Sequence, residues 1–411
     1  MGKILKGFAI LGVVIAFFLY TPRPYGMAES GRVTFFNAAG RTVRFTGYLL
    51  QYLGITEEYK IQRHFLDMAH EYTRKGRPET TDLNITNTKF DGVSVRIYEP
   101  LKKEVEKMPA VVFIHGGGWS TLSVENYDDV TTDLARLLGQ VVLISVDYNL
   151  APEHPFPEPM DECYRATKWL LDKADDYGVD ANRVAIVGDS AGGNLATSVA
   201  LQMKFNKVSP PLKMQALIYP CLQPLDFTLP SYQQNNYAFD GLINTYDMTK
   251  YWLWYAIGKA PRNLTDAMYQ GHFLRKVKTS SYSRMTKYIH HGMVPEKLKE
   301  SGYYPVEEAK DYVNYIPESL MRVFLHPYFS PLLADDLSGL PYTYVLTAQF
   351  DVLRDEGILY AKRLKKAGVN VGLNNVPDGF HGMLNLGFDF DGFEIGKRIR
   401  KDVATVIRNK L

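Results

Sequence analysis

Val184-Ala185-Ile186-Val187-Gly188-Asp189-Ser190-Ala191-Gly192-Gly193 reads as an apolar strand entering a sharp turn and then a helix. The turn carries G-x-S-x-G in the strand–turn–helix context of a nucleophile elbow. Small residues flank Ser190 because strand and helix backbones must approach closely there. The strained turn holds the serine Oγ clear of the sheet, and the helix N-terminus at Ala191 lies beside any negative charge that develops. Gly188, Asp189 and Gly192 read as support for the turn, with Asp189 bracing it rather than reacting.

A second glycine-rich loop, His115-Gly116-Gly117-Gly118-Trp119, follows another short apolar run, Ala110–Ile114. Consecutive glycines leave backbone N–H groups free to converge on one oxygen. Gly116 and Gly117, with the N–H of Ala191, are the expected oxyanion hole, where one donor is typically worth about 2.7–4 kcal/mol of barrier. No Gly-Lys-Ser/Thr follows, which excludes a phosphate loop. His115 and Gly118 read as structural support.

In an elbow fold the acid and then the histidine follow the serine. Five histidines lie beyond Ser190: His272, His290, His291, His326 and His381. Only His381, in Asp378-Gly379-Phe380-His381-Gly382, sits just after the last expected strand. Asp351 is the first carboxylate past the strand at 342–347; Asp355 is the rival, but it begins a helix and reads as a first-turn residue. The expected triad is Ser190, Asp351 and His381.

Working outward, Asp82–Phe90 and Val93–Glu99 read as a hairpin turning at Asp91-Gly92. Buried-type strands follow at 110–114, 140–146, 184–187, 215–218, 342–347 and 369–376. Helical patterns fall at 126–138, 160–173, 191–204, 355–367 and 392–408. Such alternation implies a mostly parallel eight-stranded α/β sheet with helices on both faces. It breaks at 222–335, too long for a loop, which reads as an inserted helical lid. Its aromatics (Tyr237, Phe239, Tyr246, Tyr251, Trp252, Trp254, Tyr255) read as lid core with some lining a substrate channel. The basic cluster Arg275, Lys276, Lys278 reads as solvated rather than lipid-binding. The spans are thus 1–24 anchor, 25–80 an N-terminal lid or membrane-proximal segment, 81–221 core, 222–335 lid and 336–411 the rest of the core.

Composition excludes several classes. Of 411 residues, 47 Lys and Arg face 45 Asp and Glu, so a net charge of +2 does not suit a phosphate-contacting nucleic-acid binder. Two cysteines build neither a disulfide framework nor a Cys-based zinc site, and no metal-ligand spacing or cofactor motif is evident; His290-His291 is an isolated pair of surface type. Cys163 and Cys221 are read either as a disulfide or as two buried free thiols. Gly7 to Tyr20 is an uncharged, mostly apolar run behind Lys3 and Lys6. It reads as a signal-anchor helix, a cleaved signal with weak small residues at Gly26 and Ala28, or a buried helix. As an anchor, its leading lysines put the N-terminus in the cytosol. The sequons at Asn84 and Asn263 fit a lumenal domain.

The chain resembles the hormone-sensitive-lipase-like branch of the α/β-hydrolases, and within it the arylacetamide deacetylase group, which includes neutral cholesterol ester hydrolase. The likeness runs through Leu19-Tyr20-Thr21-Pro22, the two glycine motifs, Ala151-Pro152-Glu153-His154-Pro155-Phe156-Pro157, Leu217-Ile218-Tyr219-Pro220, Pro331-Leu332-Leu333-Ala334-Asp335-Asp336 and the His381 loop. It implies an α/β-hydrolase fold with a helical lid and an N-terminal membrane anchor. The implied activity is a lumen-facing serine esterase of the endoplasmic reticulum membrane, cleaving lipid esters, drug-like esters or arylamides. The chain departs from the group at Asn149, where an arginine is usual, and at Ser120 and Ala348, where deacetylases carry cysteines. That group's disulfide is therefore expected to be absent. Two other readings are a catalytically silent hydrolase-fold binding protein, disfavoured because Ser190 and His381 are both present, and a serine peptidase, disfavoured by the apolar lid.

Overall fold

The computed structural model describes residues 24–74, 80–299, 302–304, 316–386 and 392–411, together with Gly12. Except for Gly12, the apolar run at 7–20 lies outside the described residues. Among the described residues no helix is long and apolar enough to cross a membrane.

Alternation with a period of two builds the sheet. In β3 (Met108–Ile114) every residue is buried. Val112 and Ile114 enter one hydrophobic core, while Val111 and Phe113 enter the other. A strand wrapped on both faces needs apolar side chains throughout, which is why it reads as an unbroken run. The strands are β1 (Leu83–Phe90), β2 (Val93–Pro100), β3, β4 (Val142–Asp147), β5 (Val179–Asp189), β6 (Met214–Ile218), β7 (Tyr342–Phe350) and β8 (Val371–Phe380). They form one eight-stranded sheet in the order β1-β2-β4-β3-β5-β6-β7-β8. β1 and β2 pair antiparallel, as do β2 and β4; every later pairing is parallel. The hairpin turn has positive φ at Asp91 and Gly92, the conformation that suits the right-handed twist of the strands.

The helices, in chain order, are α1 (Ser30–Tyr52), α2 (Glu58–Arg74), α3 (Asp128–Leu138), α4 (Glu158–Asp172), α5 (Ala191–Phe205), α6 (Pro230–Asn235), α7 (Thr245–Ile257), α8 (Arg262–Tyr269), α9 (His272–Lys278), α10 (Glu318–Phe324), α11 (Arg354–Lys366) and α12 (Glu394–Arg408). α4, α5 and α11 pack on one face of the sheet, and α3 and α12 on the other. The segment between β6 and β7 carries α6 to α10 and short 3-10 turns rather than another β–α unit.

That segment and the α1–α2 hairpin are held together by ions. Arg44 pairs with Asp247; Lys250 bridges Glu58 at 2.7 Å and Asp247 at 2.9 Å; Arg41 pairs with Asp240 at 2.7 Å. Glu58 and Asp247 are almost completely buried. Buried charges are tolerated only when paired in this way, and loss of one partner typically costs about 3–5 kcal/mol.

Most aromatics of the inserted segment form core. Trp252 and Tyr255 pack on Trp119 and Phe329, Tyr251 reaches the cleft described below, and Tyr237 is exposed. The basic cluster is only partly solvated, because Lys276 donates to the carbonyl of Ile316. His291 is not a free surface histidine: it sits 2.9 Å from Asp226 and 3.0 Å from the Tyr303 hydroxyl. The disulfide alternative is not met. Cys163 and Cys221 are both buried free thiols, and burial raises both thiol pKa values.

Candidate active site

The elbow forms because three backbones meet where only hydrogen fits. A Cβ on Gly188 would lie 2.2 Å from the carbonyl oxygen of Gly192, and one on Gly192 would lie 2.0 Å from that of Ile114. Ser190 itself sits at φ 53°, ψ −121°, a strained conformation for a residue with a Cβ. Trp119, Leu122 and Tyr219, which flank the same site, also have positive φ.

The end of β5 delivers Ser190, the end of β7 delivers Asp351, and the end of β8 delivers His381. Ser190 Oγ lies 3.0 Å from His381 Nε2, and His381 Nδ1 lies 2.9 Å from Asp351 Oδ2. All three are buried. The other oxygen of Asp351 accepts the N–H of Leu353 at 2.9 Å, which fixes the carboxylate plane. Asp355 is turned elsewhere, accepting from the N–H of Ser231 at 2.8 Å and from Arg354 Nε at 2.9 Å. Of the remaining histidines considered, none is brought to Ser190.

One expectation is corrected. The N–H of Gly116 donates to Asp189 Oδ1 at 3.0 Å and lies 3.2 Å from the Tyr127 hydroxyl, so it has no capacity left for an oxyanion. The N–H groups of Gly117, Gly118 and Ala191 donate to no protein acceptor among the described residues, and Gly117 and Gly118 line the cleft beside Ser190. Gly117 has φ 112°, and a Cβ there would meet the carbonyl oxygen of Thr121 at 2.1 Å. Gly117, Gly118 and Ala191 are therefore the N–H groups available to an oxyanion, and Gly116 fastens the loop to Asp189.

Asp189 is that fastening point. Besides Gly116 it accepts the hydroxyls of Tyr127 at 2.8 Å and Tyr219 at 3.3 Å, and Tyr219 in turn accepts the N–H of Leu384 at 3.2 Å. Burial pushes the Asp189 carboxyl up to about 6, opposed by these hydrogen bonds and by His381. The His115 ring stacks on Tyr148 at 4.4 Å, its Nδ1 lies 2.8 Å from the Gly116 carbonyl, and burial lowers its pKa.

Above the triad lies a cleft of about 770 Å³. Its apolar walls come from Phe36, Ala39 and Val43 of α1, Phe65 and Leu66 of α2, and Leu122, Phe239, Leu242, Ile243 and Leu386. The lining also carries charged residues, among them Asp128, Asp129, Asp133, Arg136, Lys397 and Arg400. α1 and α2 belong to the 25–80 segment expected to be lid or membrane-proximal; which of their residues face the cleft is not marked in the sequence, because these recur at the helical spacing of ordinary core.

Residues 111–279 and 300–385 match the family model for the α/β hydrolase fold. Arylacetamide deacetylase of Oryctolagus cuniculus is 37% identical over 98% of each chain, and neutral cholesterol ester hydrolase 1 of Rattus norvegicus is 35% identical over 95% of each. The chain belongs to the arylacetamide deacetylase group of the α/β-hydrolases. Solved α/β-hydrolases agree. An esterase of Pyrobaculum calidifontis superposes with a TM-score of 0.62 at 30% identity, covering 85% of this chain and 92% of that one. The metagenomic carboxylesterase EstE1 gives 0.62 at 28% identity, with 86% and 97% covered. This α/β-hydrolase is a carboxylic ester hydrolase of the serine type. At the positions where it departs from its group, the Asn149 amide donates to Glu162 at 2.8 Å, Ser120 Oγ donates to the Gly118 carbonyl at 3.1 Å, and Ala348 is buried in β7.

Proposed function

We propose that the enzyme is a membrane-anchored serine esterase or deacetylase that hydrolyses lipophilic carboxylic esters or arylamides through an acyl-Ser190 intermediate. The observation that carries this reading is the unbroken chain Asp351–His381–Ser190, opening into an apolar cleft with unused backbone donors beside it. His381 Nε2 takes the Ser190 proton as Oγ attacks the carbonyl carbon, and the imidazolium that forms is stabilised by Asp351. The tetrahedral oxyanion is held by Gly117, Gly118 and Ala191. His381 then gives its proton to the leaving alcohol or amine. Water, deprotonated by the same imidazole, releases the acid and restores Ser190.

The walls support this substrate class: apolar side chains of α1 and α2 in the cleft lining desolvate uncharged hydrophobic groups at little cost and disfavour peptide-like ones. The relatives' names, arylacetamide deacetylase and neutral cholesterol ester hydrolase, point the same way. For topology, the apolar run at 7–20 serves as a single-pass signal-anchor, with the catalytic domain in the lumen of the endoplasmic reticulum. Asn84 and Asn263, both exposed, are the glycan acceptors.

The test is fluorophosphonate labelling of microsomes that carry the chain or its Ser190→Ala variant, with and without endoglycosidase. Label on the wild type alone, on a band that shifts with the enzyme, is expected. A folded wild type that takes no label refutes the acyl-serine mechanism. Label on a band that does not shift keeps the hydrolase and refutes glycosylation at these sites.

A further inference from the structure

α1 has two apolar sides, and only one of them faces the cleft. Phe36, Ala39 and Val43 line the cavity. On the outer side, Tyr48, Leu49 and Tyr52, continued by Leu53 and Ile55 in the turn to α2, are between 43% and 79% exposed. From Thr42 to Thr56 the chain has one charged residue, Arg44, whose guanidinium is turned inward onto Asp247 and the carbonyl of Asp240. A helix that meets only water on its outer side carries charge there, and single exposed apolar residues are ordinary whereas a contiguous group is not.

We infer that this outer side of α1 and its following turn form a second membrane contact, seated in the interfacial layer of the bilayer. Two observations select lipid as the occupant. The apolar run ends at Tyr20, and Ser30 opens α1 ten residues later; ten residues span at most about 36 Å, so a bilayer that holds the run is within reach of α1. The patch is also uncharged and rich in tyrosine, leucine and isoleucine, the composition favoured at the boundary between headgroups and acyl chains. In this respect the inference rests on the anchored reading above. It adds a route: the helix that touches lipid on one side walls the cleft on the other, so an apolar substrate passes from bilayer to Ser190 around α1 without crossing bulk water.

The experiment uses the full chain in phosphatidylcholine vesicles with an environment-sensitive NBD fluorophore on a new cysteine, Tyr48→Cys or Tyr52→Cys, with Ile55→Cys as a further patch position. Cys163 and Cys221 are buried, and the chain without a new cysteine supplies the labelling blank. Lys173→Cys is the reference, because it lies between the C-terminus of α4 and the start of β5, the strand end away from Ser190. Vesicle flotation reads the anchor, and quenching by doxyl-labelled lipids reads the patch. The expected result is flotation with most NBD emission quenched at 48, 52 and 55, and none at 173. Flotation without quenching at the patch overturns the inference and leaves the anchor standing; failure to float overturns both. Lipid-independent cross-linking between patch cysteines of two chains, without quenching, also overturns it by making the patch a self-association face.

Discussion

Replacing Asp351 by asparagine tests the triad through a consequence of one neighbouring hydrogen bond. Asp351 Oδ1 accepts from the Leu353 N–H and Oδ2 faces His381 Nδ1. An asparagine has a single side-chain oxygen, and the Leu353 N–H, which can only donate, claims it. The amino group then faces Nδ1, which must accept, so the imidazole proton moves to Nε2 and points at Ser190. The histidine becomes a donor where a base is needed. Flipping the amide to restore the tautomer sets the amino group against the Leu353 N–H in a buried site, at a cost of about 1–3 kcal/mol. The carboxylate charge that stabilises imidazolium is lost as well. The sum should approach the roughly 10⁴-fold loss in kcat, about 5.5 kcal/mol, that an inverted tautomer produces in a serine triad. Hydrolysis of a water-soluble p-nitrophenyl ester reads kcat, and the fluorophosphonate labelling rate reads the nucleophile directly. KM should change little, since Asp351 does not line the cleft. A folded Asp351→Asn protein that keeps more than a tenth of wild-type kcat refutes the reasoning. Asp355→Asn is the control: its carboxylate serves Ser231 and Arg354, so it should lower the melting temperature without the same collapse in labelling rate.

Gly192→Ala should be destabilised by at least about 3 kcal/mol, because the new methyl lies 2.0 Å from the Ile114 carbonyl and 2.5 Å from that of His115; a stable, labelled variant in a urea titration would contradict the geometry. Asp189 is buried with its pKa raised to about 6 from 3.8, so the stability it contributes is present below the lower value and lost as pH rises through the higher. The neutral Asp189→Asn lacks that slope and should gain on wild type by up to about 3 kcal/mol between pH 4 and pH 7; parallel stability–pH curves would refute the shift. Asp247→Ala removes the carboxylate shared by Arg44 and Lys250 and should loosen α1. Faster proteolysis between α1 and α2, with KM for a bulky ester rising more than KM for an acetate ester, is the expected pattern, and unchanged proteolysis would show that the ion network does not hold α1.

The parts of this enzyme that were legible from sequence are those in which backbone geometry dictates composition. β3 and the second half of β5 are wrapped on both faces, so Val184–Val187, like β3, appears as an apolar run; the elbow needs hydrogen in place of Cβ at Gly188 and Gly192, so it appears as glycines around a serine. His381 and Asp351 were legible by position, because parallel strands place their C-terminal ends side by side and only these two residues follow the right strands. Residues 25–80 read as a lid or membrane-proximal segment, but how that segment is tied down was not legible. The ties Arg44–Asp247 and Lys250–Glu58 join residues 203 and 192 positions apart, and no local pattern marks either pair. Nor could composition distinguish three adjacent glycines. Gly116 is excluded from the oxyanion hole only because a carboxylate 73 residues away takes its N–H.

That carboxylate explains why an acid sits beside the nucleophile of an enzyme that must stabilise an anion. The negative charge of Asp189 opposes an oxyanion at Gly117 and Gly118, and its burial is costly enough to raise its pKa. What it provides is register. Through Gly116 it holds the glycine loop after β3, through Tyr127 it holds the start of α3, and through Tyr219 and the Leu384 N–H it reaches the loop that carries His381. A neutral amide has one acceptor oxygen, which serves two donors at most; a carboxylate, with two oxygens and several lone pairs, serves all three at once. The donors and the base are thus positioned from one buried point next to the serine. Electrostatic stabilisation in an active site depends on donors that are already in place when charge develops, and the unfavourable charge of Asp189 is offset by the placement it enforces.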